Sequence, residues 1–104
     1  MPRPPATILF SARAKRELDE VRAWWAKHHP GTRVLDDALA RALHLLEVFP
    51  EMGPRAQIRG QWSTTRRIII DPVGYHLYYR FDPQARTILV RALWHERRRR
   101  PRFP

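Results

Sequence analysis

Two segments in the first half of the chain repeat their apolar residues at helical spacing. The first predicts a helix over residues 12–28, and Ser11 is a good N-cap because its hydroxyl can accept a backbone N–H. The second predicts a helix over residues 33–48, which Pro50 ends. The apolar stripes consist of Ala14, Leu18, Val21 and Trp25 in the first segment and of Val34, Leu35, Ala38, Leu39, Ala42, Leu45, Leu46 and Phe49 in the second. A Pro-Gly pair at residues 30–31 separates them, so we expect an antiparallel helical hairpin.

Alternating apolar and polar residues, the pattern of half-buried strands, dominate the rest of the chain. A short strand is predicted at residues 8–10, and three more at residues 66–71, 75–81 and 87–95. Residues 50–64 contain two Pro and two Gly and are predicted to be a loop. The predicted fold class is α+β: a strand, an antiparallel helical hairpin and a three-stranded antiparallel meander, with the helices packed on one face of the sheet.

Strand alternation also predicts which side chains the sheet turns towards the helices and which it turns away. In the last strand we expect Ala92 and Trp94 to join the core, and Leu93 and His95 to face outward. The outward face as a whole is predicted to carry Arg67, His76, Tyr78, Arg80, Arg91 and His95, and the run Arg97–Arg100 leaves its edge. Cations that hold phosphates beside rings that stack on bases suit RNA or another polyanion. A solvated polar face explains the same pattern equally well.

Composition fits one modest domain with a strongly basic second half. The chain has 104 residues, of which 43% are hydrophobic, so residues 1–104 are predicted as one domain with a partly flexible basic end at 96–104. Residues 1–51 hold eight basic and seven acidic side chains, whereas residues 52–104 hold twelve Arg against three acidic residues. This asymmetry favours a polyanionic partner, either nucleic acid or an acidic protein. Arginine that serves only solubility is the alternative explanation.

The residue inventory restricts the chemistry. The chain has no Cys, which excludes disulfides and thiolate metal sites, and no nearby acid completes a tetrahedral set with His28 and His29, so we expect neither a metal nor a cofactor. The apolar run from Thr7 to Phe10 is too short for a signal peptide. Nothing approaches the ~20 apolar residues of a membrane span. We therefore expect a cytoplasmic protein that does not bind a membrane.

Several short motifs follow one another along nearly the whole chain, from Ile8 to about Arg98. They are a short strand running into Ser11-Ala12-Arg13-Ala14, Phe-Pro-Glu-Met-Gly at 49–53, Arg66-Arg67 before a strand, Gly-Tyr-His-Leu-Tyr-Tyr-Arg at 74–80, and Ile-Leu-Val-Arg-Ala-Leu-Trp-His at 88–95 with arginines following. In this order and at these spacings the chain resembles the RelE/ParE superfamily, the toxins of bacterial type II toxin–antitoxin modules. The resemblance implies a growth-inhibiting toxin.

Within that superfamily, RelE-like members are ribonucleases that cut mRNA, commonly in the ribosome. Such cleavage needs a base, an acid and a cation at the phosphorane, all within reach of one another. If the chain is RelE-like, the resemblance assigns a metal-independent catalytic set to His76, His95 and Arg67. The chain departs from the RelE pattern at Ile69, where a second Lys would help, and it has no Tyr beyond His95.

ParE-like members share the fold but block DNA gyrase by protein contact, and they are not enzymes. Residues 93–97 (Leu-Trp-His-Glu-Arg) resemble the apolar–His–x–Arg end of such chains, so the ParE-like interpretation is favoured. Contacts with the target or with nucleic acid are then assigned to Arg67, Tyr78, Arg80, Arg91, His95, Arg97 and Arg98. Trp24 cannot share the core face with Trp25, which makes Trp24 a further candidate for partner contact, and packing at the edge of the core explains it equally well.

A toxin of this superfamily implies a cognate antitoxin. We expect that antitoxin to be acidic, because the basic half of the chain would attract it and speed association. The complex would bind its own promoter DNA indirectly, through the antitoxin. A third interpretation is a non-toxic nucleic-acid-binding module, which would also account for the basic face.

Overall fold

Two helices and a five-stranded sheet make up the fold. The computed structural model describes residues 4–97, apart from the side chain of Trp62. The elements are β1 (Thr7–Phe10), α1 (Ala12–His28), α2 (Val34–Val48), β2 (Arg55–Ile58), β3 (Gln61–Ile70), β4 (Tyr75–Asp82) and β5 (Thr87–His95). The sheet order is β1-β5-β4-β3-β2, in which β1 runs parallel to β5 and the other neighbours are antiparallel. The predicted α+β class, the helix pair and the meander are confirmed.

The predicted loop before the meander contains an additional strand. Residues Arg55–Ile58 pair with the start of β3 through a two-residue turn at Arg59 and Gly60, whose φ angles are 53° and 77°. Two positive φ values are the geometry of the hairpin turns that match strand twist. Asn-Gly is the usual sequence signal for such a turn, and Arg-Gly does not resemble it. The meander therefore has one more strand at its edge than predicted.

Helix α1 is anchored near both ends. The Ser11 hydroxyl accepts a hydrogen bond from the Ala14 N–H (3.1 Å) and donates one to the Arg91 carbonyl (3.3 Å). The predicted N-cap is thus confirmed, and it also ties the helix to β5. Near the other end, Trp25 Nε1 donates to the Tyr75 hydroxyl (3.1 Å).

Helix α1 also completes the edge of β5. Strand β1 covers β5 only as far as the pair Phe10–Val90. Beyond that pair, the Leu93 N–H donates to Glu17 Oε1 (3.3 Å), and Arg13 Nε lies 3.4 Å from the same oxygen. A part-buried backbone donor needs a partner, and here a helix side chain supplies it.

Helix α2 buries only part of its predicted stripe. Its buried residues are Leu35, Ala38, Leu39, Ala42 and Leu46. Val34, Leu45 and Phe49, which belong to the same stripe, are 44%, 44% and 59% exposed. The apolar stripe is therefore wider than the surface that covers it within residues 4–97.

A β-bulge at Arg91 interrupts β5. Tyr79 pairs with Val90 and the preceding Tyr78 pairs with Ala92, so Arg91 is one extra residue on β5. Side chains alternate strictly along a regular strand, and one extra residue reverses the alternation beyond it. The faces of β5 after residue 91 are therefore the opposite of those that alternation alone predicts.

The residues beyond the bulge show this reversal directly. Leu93 belongs to the core beneath the helices, whereas Ala92 and Trp94 pack with Tyr78 on the other side of the sheet. His95 pairs with the core residue Tyr75 and so lies on the helix side. The predictions that Ala92 and Trp94 join the main core and that His95 faces outward were wrong, because they assumed an uninterrupted strand.

Candidate functional site

The outer face, defined as the sheet surface turned away from the helices, is partly apolar. Tyr78 is 5% exposed and Ala92 is 0% exposed, and both pack with Ala56, Ile58 and Trp94 in a small second cluster. Strand β2 contributes two of these residues and the strand beyond the bulge contributes another two. As a result, little of the Tyr78 ring is available to a partner, although the sequence pattern predicts it as a contact residue.

Three arginines supply positive charge to the outer face. Arg67 lies on β3, Arg80 is exposed on β4, and Arg91 Nη1 reaches across β4 to donate to Thr65 Oγ1 on β3 (2.8 Å). Burial, and then the charges of Arg80 and Arg13, lower the pKa of Arg91. Like charges held near one another disfavour the charged form, so an anionic group bound here would relieve their repulsion.

His76 lies on the same face as these arginines. It pairs with Ile69 on β3 and with Trp94 on β5, and its ring centroid is 6.4 Å from that of Tyr78. The structure therefore places His76 with Arg67, Arg80 and Arg91 on the outer face, as the alternation in β3 and β4 predicts. His95 is absent from this group.

A second site lies on the helix side, at the end of β5, and we name it the C-terminal cleft. Its volume is about 570 Å³. Its walls include Glu20, Trp24, Trp25, Tyr75, His95 and Arg97. The cleft combines aromatic rings with charged groups of both signs, which is typical of a surface that recognises a protein side chain.

Two contacts hold the His95 ring in the C-terminal cleft. The ring meets the Tyr75 ring edge-on, with centroids 5.1 Å apart, and Nδ1 accepts a hydrogen bond from the Arg97 backbone N–H (3.2 Å). Because Nδ1 is an acceptor, the neutral ring carries its proton on Nε2. The Tyr75 hydroxyl is in turn fixed by Trp25 Nε1, so the position of His95 depends on contacts that reach back to α1.

Trp24 forms an exposed edge of the C-terminal cleft. It is 48% exposed, and its ring stacks on that of His28 with centroids 4.2 Å apart and an interplanar angle of 16°. The Trp25 ring meets it edge-on at 5.9 Å and packs against the core. The predicted difference between the two tryptophans is confirmed. A large, half-exposed ring held by its neighbours is the kind of residue that anchors protein interfaces.

The predicted catalytic set is divided between these two sites. Arg67 and His76 lie on the outer face, whereas His95 lies in the C-terminal cleft on the other side of the sheet. Base-and-acid chemistry requires its groups within hydrogen-bond reach of one substrate. Neither site contains all three of the predicted groups.

The sequence model of one protein family matches almost the entire chain. That family is described as the ParE toxin of type II toxin–antitoxin system, parDE, and the match covers residues 8–100. The chain belongs to the ParE toxin family. This assignment confirms the resemblance to the RelE/ParE superfamily that the motifs indicate. No curated protein sequence matches this ParE family member.

Three solved structures show the same fold as this ParE family member. A chain of the RelBE2 toxin–antitoxin complex from Mycobacterium tuberculosis is 24% identical with a TM-score of 0.62, and the match covers 88% of this chain and 99% of that one. A chain of the chromosomal ParDE system of P. aeruginosa is 11% identical with a TM-score of 0.66, and the match covers 86% of this chain and 95% of that one. A chain of the intact E. coli RelBE complex is 22% identical with a TM-score of 0.56, and the match covers 89% of this chain and 99% of that one. At these identities the similarity establishes the fold.

The basic end of this ParE family member is described only in part. Arg97 is exposed and lines the C-terminal cleft, whereas Arg98 and the rest of the run lie outside residues 4–97. Within those residues, neither helix is long and apolar enough to cross a membrane. The same residues bring together no group of three His, Cys, Asp or Glu side chains that could hold a metal ion.

Most of the residues that line the C-terminal cleft of this ParE family member, among them Glu20, Trp25 and Tyr75, were not candidates from the sequence. The spacing marks Trp25 and Tyr75 as core residues, and their role in positioning His95 depends on a contact between segments fifty residues apart. No local pattern signals such a contact. The sequence feature that could have indicated the cleft is the pair Trp24-Trp25. Adjacent residues of a helix point in different directions, so one of the two rings must point away from the core.

Proposed function

We propose that this ParE family toxin arrests growth by binding DNA gyrase and blocking it through protein contact, and that a cognate antitoxin neutralises it. The observation that carries the proposal is the separation of His95 from Arg67 and His76 by the sheet. A block by contact needs an anchored surface, and it does not need a base, an acid and a cation at one phosphate. The C-terminal cleft provides such a surface, with Trp24 at its edge.

Two further observations support the proposal. His95 at the end of β5 and Arg97 in the turn after it fall within residues 8–100, the part of the chain that matches the ParE toxin family. The relatives from M. tuberculosis and E. coli were solved as toxin–antitoxin complexes, which supports an antitoxin as the partner that neutralises this chain. Its net charge of +10 favours an acidic one.

A supercoiling assay with purified gyrase tests the proposed target. We expect the chain to inhibit supercoiling of relaxed plasmid in proportion to its concentration. In parallel, the chain is expressed briefly in cells, and the ends of mRNA on translating ribosomes are mapped. Inhibited supercoiling with unchanged mRNA ends is the expected result. Fresh mRNA ends together with normal supercoiling would overturn the proposal.

The outer face favours one alternative, a RelE-like ribonuclease that cuts mRNA in the ribosome. Arg67, Arg80 and Arg91 can hold phosphates there, and His76 is the imidazole on the same face within residues 4–97. Under this alternative, the double substitution Arg67→Gln and Arg80→Gln would abolish the fresh mRNA ends. Under the proposed function, gyrase is contacted at the C-terminal cleft, so the same variant should inhibit gyrase as the unmodified chain does, and the target contacts expected of these two arginines from the sequence would not contribute.

A further inference from the structure

The end of helix α2 and the loop after it carry a cluster of exposed apolar side chains. We name this cluster, consisting of Leu45, Val48, Phe49 and Met52, the α2-end patch; its members are 44%, 51%, 59% and 48% exposed. Within residues 4–97, four of the nine exposed large hydrophobic residues thus fall in eight consecutive positions. Apolar residues scattered singly over a surface need no explanation, but a contiguous group indicates an interaction site.

The α2-end patch borders a cleft of about 770 Å³. Val48, Phe49 and Met52 line one side, and Pro5, Phe81 and Arg86 also line it. The cleft is therefore mainly apolar, and its two charged lining residues are Arg86 and Glu51. A partner that fills it must bring apolar side chains and gains by bringing an acidic one.

The charges at this cleft favour an acidic partner. Arg86 Nε donates to the Pro4 carbonyl (3.1 Å), and the guanidinium carbon lies 5.8 Å from the centroid of the Phe81 ring. These contacts leave the forked end of the guanidinium to meet a carboxylate. The acidic group on the same wall, Glu51, already faces Arg66 Nη2 at 3.9 Å. Part of the Glu51 charge is therefore offset by Arg66, whereas the end of the Arg86 guanidinium is available to a carboxylate of the partner.

The backbone beneath the patch is fixed in place. The Gly53 N–H donates to the buried Tyr79 hydroxyl (3.0 Å), and Arg66 Nη1 donates to the Gly53 carbonyl (2.7 Å). A Cβ added at Gly53 would lie 2.8 Å from the Arg67 carbonyl oxygen, so the loop is pressed against β3. The loop that carries Met52 therefore has no room to move inward, and the surface exists before a partner arrives. Surfaces that are ordered in advance lose less entropy on binding.

We infer that the α2-end patch and its cleft are the docking surface for the cognate antitoxin, which covers them with an amphipathic segment. Its apolar side chains lie on Phe49 and Met52, and a carboxylate meets Arg86. This inference rests on the toxin–antitoxin part of the proposed function and not on gyrase being the target. A second copy of the chain is a poorer occupant, because two chains of net charge +10 repel each other.

The α2-end patch and the C-terminal cleft have no lining residue in common. Substitutions in the patch therefore separate the two activities of the chain. A Phe49→Ser variant should lose affinity for the antitoxin and still inhibit gyrase.

Binding is measured between the full chain and the polypeptide encoded by the reading frame next to its gene. We expect Phe49→Ser to raise Kd at least ~30-fold, the typical loss for an interface anchor. Arg86→Glu should raise it about tenfold through charge reversal. The matched controls are Val34→Ser, equally apolar and 44% exposed at the other end of α2, and Arg16→Glu on α1. The Kd of both control variants should stay within about twofold of that of the unmodified chain, as expected for surface substitutions away from an interface.

Urea unfolding first establishes that each variant folds. An unchanged Kd for folded Phe49→Ser, or an equally large effect of Val34→Ser, would overturn the docking surface. If the unmodified chain does not bind the polypeptide at all, the antitoxin partner itself is refuted. If the unmodified chain forms a dimer that Phe49→Ser abolishes, the occupant is a second copy and the inference is wrong. Loss of gyrase inhibition in Phe49→Ser would assign the patch to the target instead.

Discussion

At the scale of single residues, the Tyr79 hydroxyl is a polar group inside the core that fixes the loop at Gly53. The residue is 0% exposed, and its hydroxyl accepts the Gly53 N–H. Tyr79→Phe would leave that N–H without its acceptor. We expect the free energy of unfolding to fall by about 1–3 kcal/mol, the range for a buried donor that loses its partner. Urea unfolding at neutral pH measures this, and an unchanged midpoint would contradict it.

The same residue predicts a pH dependence. Burial, opposed by the hydrogen bond with Gly53 and by the charge of Arg66, raises the pKa of Tyr79 above its ordinary value of 10.0. Its contribution to stability is therefore complete below pH 10 and is lost as the pH rises through the higher folded-state pKa. The unfolding free energy of the unmodified chain should fall more steeply above pH 10 than that of Tyr79→Phe. Parallel curves between pH 8 and pH 11 would contradict this.

Gly53 is required for steric reasons. A Cβ there would lie 2.8 Å from the Arg67 carbonyl oxygen and 2.9 Å from the Tyr79 hydroxyl. We expect Gly53→Ala to cost about 1–3 kcal/mol, as overpacking does.

A double-mutant cycle tests this explanation of the Gly53→Ala effect. Gly53→Ala and Tyr79→Phe share the contact between residue 53 and the Tyr79 hydroxyl, so their effects should fail to add by at least ~0.5 kcal/mol. Gly31→Ala is the control, since a Cβ there meets nothing within 4 Å. The effect of Gly31→Ala should add to that of Tyr79→Phe, and additivity in both cycles would refute the contribution of the Tyr79 hydroxyl to the clash at Gly53.

At the scale of elements, α1 and β5 are joined by a side chain that completes a strand edge. Glu17→Ala removes the acceptor of the Leu93 N–H and the ion partner of Arg13. We expect a loss of about 1–2 kcal/mol and faster hydrogen exchange at the Leu93 amide. Glu20→Ala, an exposed carboxylate on the same helix, is the control and should change stability by less than about 0.5 kcal/mol. Equal hydrogen-exchange rates at the Leu93 amide in both variants would contradict the hydrogen bond from Leu93 to Glu17.

The elements with long, regular patterns could be predicted from the sequence. The bounds of α1 match the predicted helix because the Ser11 cap and the Pro-Gly break mark both of its ends. Strand β2 could not be predicted, because it has four residues and a turn without the usual signal. The bulge at Arg91 could not be predicted either, since a bulged position requires no particular residue type.

The candidate site was predictable to the same extent as its strands. The alternation in β3 and β4 places Arg67, His76 and Arg80 on one face because both strands pair there without interruption. His95 was misplaced because it follows the bulge. The C-terminal cleft could not be predicted, since it depends on cross-strand contacts such as that of Trp25 with Tyr75.

At the scale of the whole molecule, the outer face and the C-terminal cleft lie on opposite sides of the sheet, so each can be disabled alone. Under the proposed function, His95→Ala should relieve growth arrest and raise the concentration for half-inhibition of supercoiling about tenfold, as loss of an interface contact does. His76→Ala is the matched control and should leave both unchanged. Colony counts after induction and a supercoiling titration measure the two effects. The reverse outcome would favour the ribonuclease alternative.

Functional residues cannot be transferred between this chain and its relatives by counting along β5. Because Arg91 is the extra residue of a β-bulge, a relative with an uninterrupted strand and a His at the same count would present that His on the other side of the sheet. Identical letters in one column of an alignment would then occupy different surroundings. A structure-based alignment with such a relative would place a one-residue gap in the relative's sequence after the position of Val90. The number of residues between Val90 and the histidine near the end of β5 therefore determines on which side of the sheet that histidine lies.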